Sequence, residues 1–386
     1  MNFDLNKRTI LVTVAGSRAY GIHLPTSDVD IKGVAIPTKE YFFGYLNQFD
    51  QADKASHMQV FLDLFNDEEQ WAIESQKLEG SVYGILKFAK LAADCNPNIL
   101  DVLFCRDEEV RMTTHQGQRL RVHRDLFLSA KAKHTFSGYA AAQMKRIRGH
   151  RKWLLDPPTH QPSREEFGLP EFTLIPKDQL QAANASVRKQ VDRWEIDYAT
   201  MLDSEKIHVQ AQIASVLSEI KLALGFDSKE EAVWLASARV VGLDENLIYT
   251  MQKEREYLSA RRHWKQYQNW KKTRNPARAA LEAAHGYDTK HAGHLVRLLR
   301  MCREILETGV VNVWRGFGGP NDAEEIREIR NGAWDYDDLL EWAETEDKAL
   351  QDMYKNREYV VSKAPNRKAI DKLVISMVEE ALAGNL

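Results

Sequence analysis

The sequence predicts an α+β protein, with a mixed sheet and flanking helices at the N-terminus followed by a mostly helical remainder. Three observations point there. Short β-branched or alternating runs stand at 9–15 and 28–36. Strand-like and helix-like segments then mix over the first 110 or so residues. From about Gly117 onward, nearly every periodic segment repeats every three to four residues. At 386 residues the chain is too long for one ordinary core. The change of pattern near 115–125 divides it into a first domain, 1–120, and a helical domain, 121–386.

The elements follow in order. "TILVTVA" (9–15) is a continuous apolar, β-branched run closed by Gly16, as in a buried strand. "DVDIKGVAI" (28–36) alternates, turns apolar and stops at Pro37, so it reads as a second strand. "HMQVFLDLF" (57–65) is a candidate third strand. "SVYGILKFAKLAADC" (81–95) has an apolar helical stripe of Val82, Ile85, Leu86, Ala89 and Leu91. Asn96-Pro97 opens a further helix or a turn. Helices are expected over 116–132 and 135–153. The Pro-rich loop 156–178 is too long for an idle connection. Helices resume over 178–225, 228–240, 243–270, 276–285, 289–308, 322–331, 336–350 and 366–384.

Composition narrows the function classes. The formal net charge is −3, so a polyanion partner would need a local basic patch. Cys95, Cys105 and Cys302 have neither zinc-ligand nor redox spacing, which fits a cytoplasmic compartment. No apolar run approaches the length of a membrane span, and no membrane partner is expected. The stretch after Lys7-Arg8 is a poor signal peptide, because its apolar run is short and flows into the Gly-Ser stretch.

The chemistry concentrates in "VAGSRAYGIHLPTSDVDIKGV" (14–34). Side chains in a strand repeat with period two, so Asp28 and Asp30 share a face. Two carboxylates so close repel unless a cation stands between them, and Mg²⁺ is the oxygen-seeking ion that pairs acids with phosphates. Upstream, the backbone N–H groups and hydroxyl at Gly16-Ser17 form a natural phosphate cradle. The plainer alternative is an edge strand with a solvated acidic face. Arg18 is the nearest positive charge to the cradle, or else an ordinary surface arginine.

Two helical segments carry basic stripes. In "DTKHAGHLVRLLR" (288–300), Lys290, His294 and Arg297 fall at i, i+4 and i+7 behind a cap at Asp288 or Thr289. His291 and His294 lack an evident third ligand, so no metal is expected there. In "KRIRGHRKW" (145–153), Lys145, Arg148 and Lys152 share a face beside Trp153, a composition suited to RNA. "KQYQNWKKTRNPAR" (265–278) is a second basic segment, around Trp270. A solvated charged face is the alternative for each.

The pattern "GSRAYG…TSDVDIKGV" resembles the nucleotidyltransferases of the DNA polymerase β superfamily. More narrowly, the chain resembles the predicted nucleotidyltransferase family associated with RNA repair pathways. Similar blocks are "SVYGILKFAKLAADCNPNILDVLF" (81–104), "HTFSGYAAAQMKRI" (134–147), "HGYDTKHAGHLVRLLRMCREILETG" (285–309) and "REIRNGAWDYDDLL" (327–340).

The resemblance implies a polymerase-β-like catalytic domain that transfers NMP from an NTP to an acceptor hydroxyl, with two metals, Mg²⁺ or Mn²⁺. It implies that Asp28 and Asp30 hold both metals and that a third carboxylate serves the acceptor side. That acid is Glu79 by its place before "VY…LKF", where the superfamily usually has Asp, or else Asp63. Gly16 and Ser17 would bind the triphosphate, with Arg18, Lys290, His294 and Arg297 as further contacts to the nucleotide or acceptor. Lys145, Arg148 and Lys152 would hold an RNA acceptor, such as a tRNA end or a broken 3′ end. A protein or small-molecule acceptor, or a non-catalytic nucleotide sensor on this fold, stays open.

Overall fold

The computed structural model describes residues 3–384 except 25–26, 67–68, 71–72, 74–77, 174–177, 179–180, 184, 187–188 and 190–228. The helix expected over 178–225 lies almost wholly outside the described residues. The fold class is as expected: a mixed five-stranded sheet comes first and a mostly helical region follows.

The strands are β1 (Thr9–Ala15), β2 (Asp30–Ala35), β3 (Gln51–Ala52), β4 (Glu79–Gly84) and β5 (Val110–Thr113), in sheet order β3-β4-β2-β1-β5. β1 runs antiparallel to β2 and β5, whereas β2 and β4 are parallel. Every residue of β1 is buried. The sheet is covered on both faces, which is why β1 reads as an unbroken apolar run. Ile10, Leu11 and Val34 pack on one side with Phe88 and Leu103, and Val12, Val14 and Ile31 pack on the other with Met58 and Phe61.

Among the described residues, the helices of eight or more residues are α1 (Ile85–Ala93), α2 (Pro97–Phe104), α3 (His115–Val122), α4 (Ala132–Leu155), α5 (Lys229–Val240), α6 (Glu245–Thr273), α7 (Pro276–His285), α8 (Thr289–Thr308), α9 (Ala323–Arg330), α10 (Tyr336–Asn356) and α11 (Arg367–Leu382). Their starts follow local chemistry. Asn96 caps α2 by accepting from the Asn98 N–H, with Pro97 at the first position. Asn275 caps α7 in the same way before Pro276. Asp288 caps α8 by accepting from the His291 N–H, and Gly309 closes that helix with φ +72°.

Three local expectations are corrected. Residues 57–65 form no strand: a helical turn, Ala55–Met58, runs into a 3₁₀ turn, Gln59–Leu64. Met58 and Phe61 are both buried while Val60 is exposed, a three-residue spacing rather than an alternation. The helix expected from residue 81 starts at Ile85, because Ser81–Gly84 complete β4. The helix expected over 116–132 ends at Val122, and a 3₁₀ turn, Arg124–Phe127, follows.

The chain divides into two compact units, 1–156 with 275–386, and 157–274. In the first, α8 packs along α4, and both are anchored by a core of Phe136, Ala140, Ile147, Leu295, Val296 and Leu299. In the second, α5 and α6 share a core of Trp234, Leu235, Ala238, Ile248 and Met251. The stretch at 163–173 contains the 3₁₀ turn Glu165–Phe167, and Arg164 pairs with Glu254 of α6.

Candidate active site

The site begins with strand ends. The last residue of β1, Ala15, is paired across the sheet with the first residue of β2, Asp30. Asp30 is in turn paired, in the parallel register, with the first residue of β4, Glu79. Asp28 lies two residues before Asp30, with the buried Val29 between them. Asp28, Asp30 and Glu79 therefore line one cavity of about 1160 Å³, together with Gly16 and Ser17. That volume accommodates a nucleotide-sized ligand.

Gly16 begins a single helical turn, Gly16–Ala19, with φ +63°. A Cβ at this position would fall on the Asp30 carboxylate. Glycine therefore serves two ends here: the left-handed backbone and the close approach of the turn to the acid.

The acids repel one another. Burial, and then the charge of Asp28, push the Asp30 carboxyl above its usual value, with Glu79 adding to the effect. Three acids lining one cavity, one of them held above its ordinary pKa by burial and by its acidic neighbours, fit a hard divalent cation. Asp28, Asp30 and Glu79 are the residues that would hold it. Asp63, the other candidate, sits exposed on the 3₁₀ turn Gln59–Leu64 and does not line the cavity.

The cavity also has a cationic lining. Lys290, His294 and Arg297 of α8 all line the cavity, as do Arg146 of α4 and Arg330 of α9. Arg297 is buried and lies over the Tyr20 ring at 3.7 Å. One of its Nη atoms donates to the Met301 sulfur at 3.0 Å, and its Nε has no hydrogen-bond partner. A buried guanidinium so poorly satisfied is costly unless an anion meets it. Tyr20 is fixed beneath it by donating its hydroxyl to Asp101 Oδ2 at 2.5 Å. Burial and the surrounding cations hold the His294 imidazole neutral, well below its usual pKa.

Arg330 donates to the Ile22 carbonyl at 3.1 Å, and burial lowers its pKa against the opposing pull of Asp28. Its path crosses α8 at Gly293, where a Cβ would stand 2.5 Å from Arg330 Cγ. Lys32 closes the floor by donating to the Asn98 carbonyl at 3.0 Å, and burial lowers its pKa.

Not every expected residue comes here. Arg18 is buried, its guanidinium directed to the Ser27 carbonyl at 3.4 Å, and it does not line the cavity. Lys145, Arg148 and Lys152 stay on the exposed face of α4, with Arg148 paired to Glu344 at 3.0 Å. Trp153 stacks on His150 at 5.4 Å between ring centres. Arg146, one residue from Lys145, turns to the cavity instead. Sequence reasoning missed Arg146, Arg330, Lys32 and Gly293. Arg146 lay inside a recognised basic run, but composition alone does not say which helical face meets the site. Arg330 lay in a recognised block, but without a role.

A pair of acids at the start of β2, a third acid on the next parallel strand and a glycine-serine turn against them are the arrangement that the resemblance to polymerase-β-like nucleotidyltransferases leads one to expect. Residues 3–154 match the family model described as the RNA repair pathway DNA polymerase beta family, which bears out the resemblance over that segment and sets it in an RNA repair context. No curated protein and no solved structure matches the chain. Among the described residues, no helix is long and apolar enough to cross a membrane.

Proposed function

We propose that this chain transfers NMP from an NTP to an acceptor hydroxyl, and that the acceptor is an RNA 3′ end. The observation that carries the reading is the register that sets Ala15, Asp30 and Glu79 side by side, which brings the Gly16-Ser17 turn against three acids. The acceptor hydroxyl gives up its proton to solvent as its oxygen bonds the α-phosphorus, the bond from that phosphorus to the oxygen bridging to the β-phosphate breaks, and pyrophosphate leaves. Mg²⁺ or Mn²⁺ bound by Asp28, Asp30 and Glu79 would supply charge neutralisation and polarisation of the phosphate.

The chain's own residues do the rest. The Gly16-Ser17 turn holds the outer phosphates. Lys290, Arg297, Arg330 and Arg146 oppose their charge, and Arg297 gains the anion it lacks. Neutral His294 donates or accepts one hydrogen bond without adding charge. Catalysis is then mainly positioning and electrostatic stabilisation. The exposed stripe Lys145, Arg148 and Lys152 supports an RNA acceptor through phosphate contacts that weaken in salt. Three buried thiols with no disulfide suit the cytoplasm.

The test incubates the chain with each α-labelled NTP, a mixed cellular RNA pool and Mg²⁺, then resolves the products on a denaturing gel. Labelled RNA is expected, with a loss of about 10²–10³-fold or more in Asp28→Asn and Asp30→Asn. Undiminished labelling by a folded double variant overturns the transfer reading. Label on protein or a small molecule, with RNA untouched, overturns the acceptor.

A further inference from the structure

A second cluster of ligand-type side chains lies at the start of α8, outside the set of residues that line the catalytic cavity. His150 of α4, Asp288 at the N-cap of α8 and His291 in its first turn each present one donor atom, all within 4.8 Å of one another. Asp288 is fully buried, and the two histidines are partly buried, their side chains 15% and 13% exposed. His150 Nδ1 stands 2.7 Å from Asp288 Oδ2. His291 Nε2 stands 3.6 Å from the same oxygen, too far for a hydrogen bond. Its other ring nitrogen, Nδ1, is buried with no hydrogen-bond partner. So the His291 ring is held against a carboxylate that only the residue's backbone N–H hydrogen-bonds, with its ring centre 5.7 Å from that of His150.

We propose that His150, Asp288 and His291 form a second divalent-metal site, of the two-imidazole, one-carboxylate class that takes zinc, with a water completing the coordination. Donor atoms bonded at about 2.0–2.1 Å to one tetrahedral ion stand roughly 3.4 Å apart, and 2.7 and 3.6 Å bracket that spacing. The chemistry differs from that of Asp28, Asp30 and Glu79, which offer oxygen alone and suit magnesium.

Arg278 is the competing cation. Its Nη2 pairs with Asp288 Oδ2, while its Nε donates to Glu282 Oε1 at 3.0 Å. Without metal, Arg278 neutralises the buried carboxylate. With metal, it keeps Glu282 and yields Asp288 to the ion. The consequence reaches the cavity, because Asp288 caps the helix that carries Lys290, His294 and Arg297. A metal joining His150 to Asp288 and His291 would fix α4 against the N-terminus of α8.

The experiment uses the full chain carrying Asp28→Asn and Asp30→Asn, so that the acidic site is weakened as a metal ligand. After chelation and desalting it is titrated with Co²⁺ and followed by visible absorption, and zinc content is measured by mass spectrometry after loading. About one Zn²⁺ per chain is expected, with a Co²⁺ spectrum of nitrogen-containing, low-coordinate character. His150→Gln and His291→Gln are each expected to weaken Co²⁺ binding by about 10²-fold or more, whereas Arg278→Gln tightens it. A chain that retains no zinc overturns the proposal. So does a Co²⁺ spectrum unchanged by His291→Gln in a protein with native circular dichroism.

Discussion

At Gly16 the backbone and the chemistry make the same demand. The φ of +63° excludes most side chains, and the Asp30 carboxylate occupies the space a Cβ would take. Gly16→Ala is expected to cost about 1–3 kcal/mol of stability by denaturant unfolding and to displace Asp30. Gly293 gives a sharper contrast, since its backbone is ordinary α-helix and the Arg330 side chain is what crowds the space beside it, with the Ile326 carbonyl at ordinary contact distance. Gly to Ala inside a helix normally stabilises by about 1 kcal/mol. Gly293→Ala is expected to forfeit that gain and to raise the KM for NTP with little change in secondary structure. A KM equal to that of the parent would show that Arg330 contributes nothing to nucleotide binding. The acids and the turn were legible because the strand period of two and the glycine are local signals. Arg18 was misread because a four-residue helical turn gives no period from which to infer its direction.

The elements around the site are held by buried ion pairs as well as by apolar packing. Arg315 is completely buried and donates to Glu304 of α8 and to Asp322, the residue before α9, at 2.6–2.9 Å. Its backbone N–H also reaches the Tyr20 carbonyl at 3.0 Å, beside the Gly-Ser turn. Arg315→Met would leave two acids facing each other without their shared cation, for a loss of about 3–5 kcal/mol.

The same cluster sets a pH dependence. Burial opposes ionisation of Asp322, but Arg315 and Arg300 outweigh it and hold its carboxyl below the ordinary value of 3.8. As pH falls, the unfolded chain takes up this proton first. The contribution of Asp322 is therefore complete above the ordinary aspartate range and is lost as pH drops through the folded-state value. Urea unfolding at pH 6 and at pH 3.5 is expected to show a smaller decline for Asp322→Asn than for the parent, from a lower starting stability. An equal decline in both would remove Asp322 from the acid response. At this scale Lys290, His294 and Arg297 line one cavity together, as their spacing on α8 implies. The reading of 57–65 as a strand did not hold, because a run rich in apolar residues carries both periods and only burial separates them.

For the whole molecule, contacts group the chain differently from its order. Residues 1–156 and 275–386 form one unit, tied by α4 on α8 and by α11 packed on α1. Residues 157–274 form the other. Every residue lining the cavity that holds Asp28, Asp30 and Glu79 comes from the first unit. A chain in which a short Gly/Ser linker replaces 157–274 is expected to keep the far-ultraviolet spectrum of its helices and a single cooperative thermal transition. Loss of that transition would mean that the first unit needs the second to fold.

The sequence by itself determined the α+β class, the buried first strand, the acid pair at the start of the second, the turn ahead of it and the basic stripe of α8. Each of these is written in neighbouring residues, at periods set by strand or helix geometry. Only the tertiary structure decided the rest: that Glu79 rather than Asp63 stands beside Asp30, that Arg146 and Arg330 line the cavity with the acids while Lys145, Arg148 and Lys152 do not, and that His150 meets Asp288 and His291. Those contacts join residues dozens to hundreds of positions apart. Strand register and helix packing set them, and no local period encodes either.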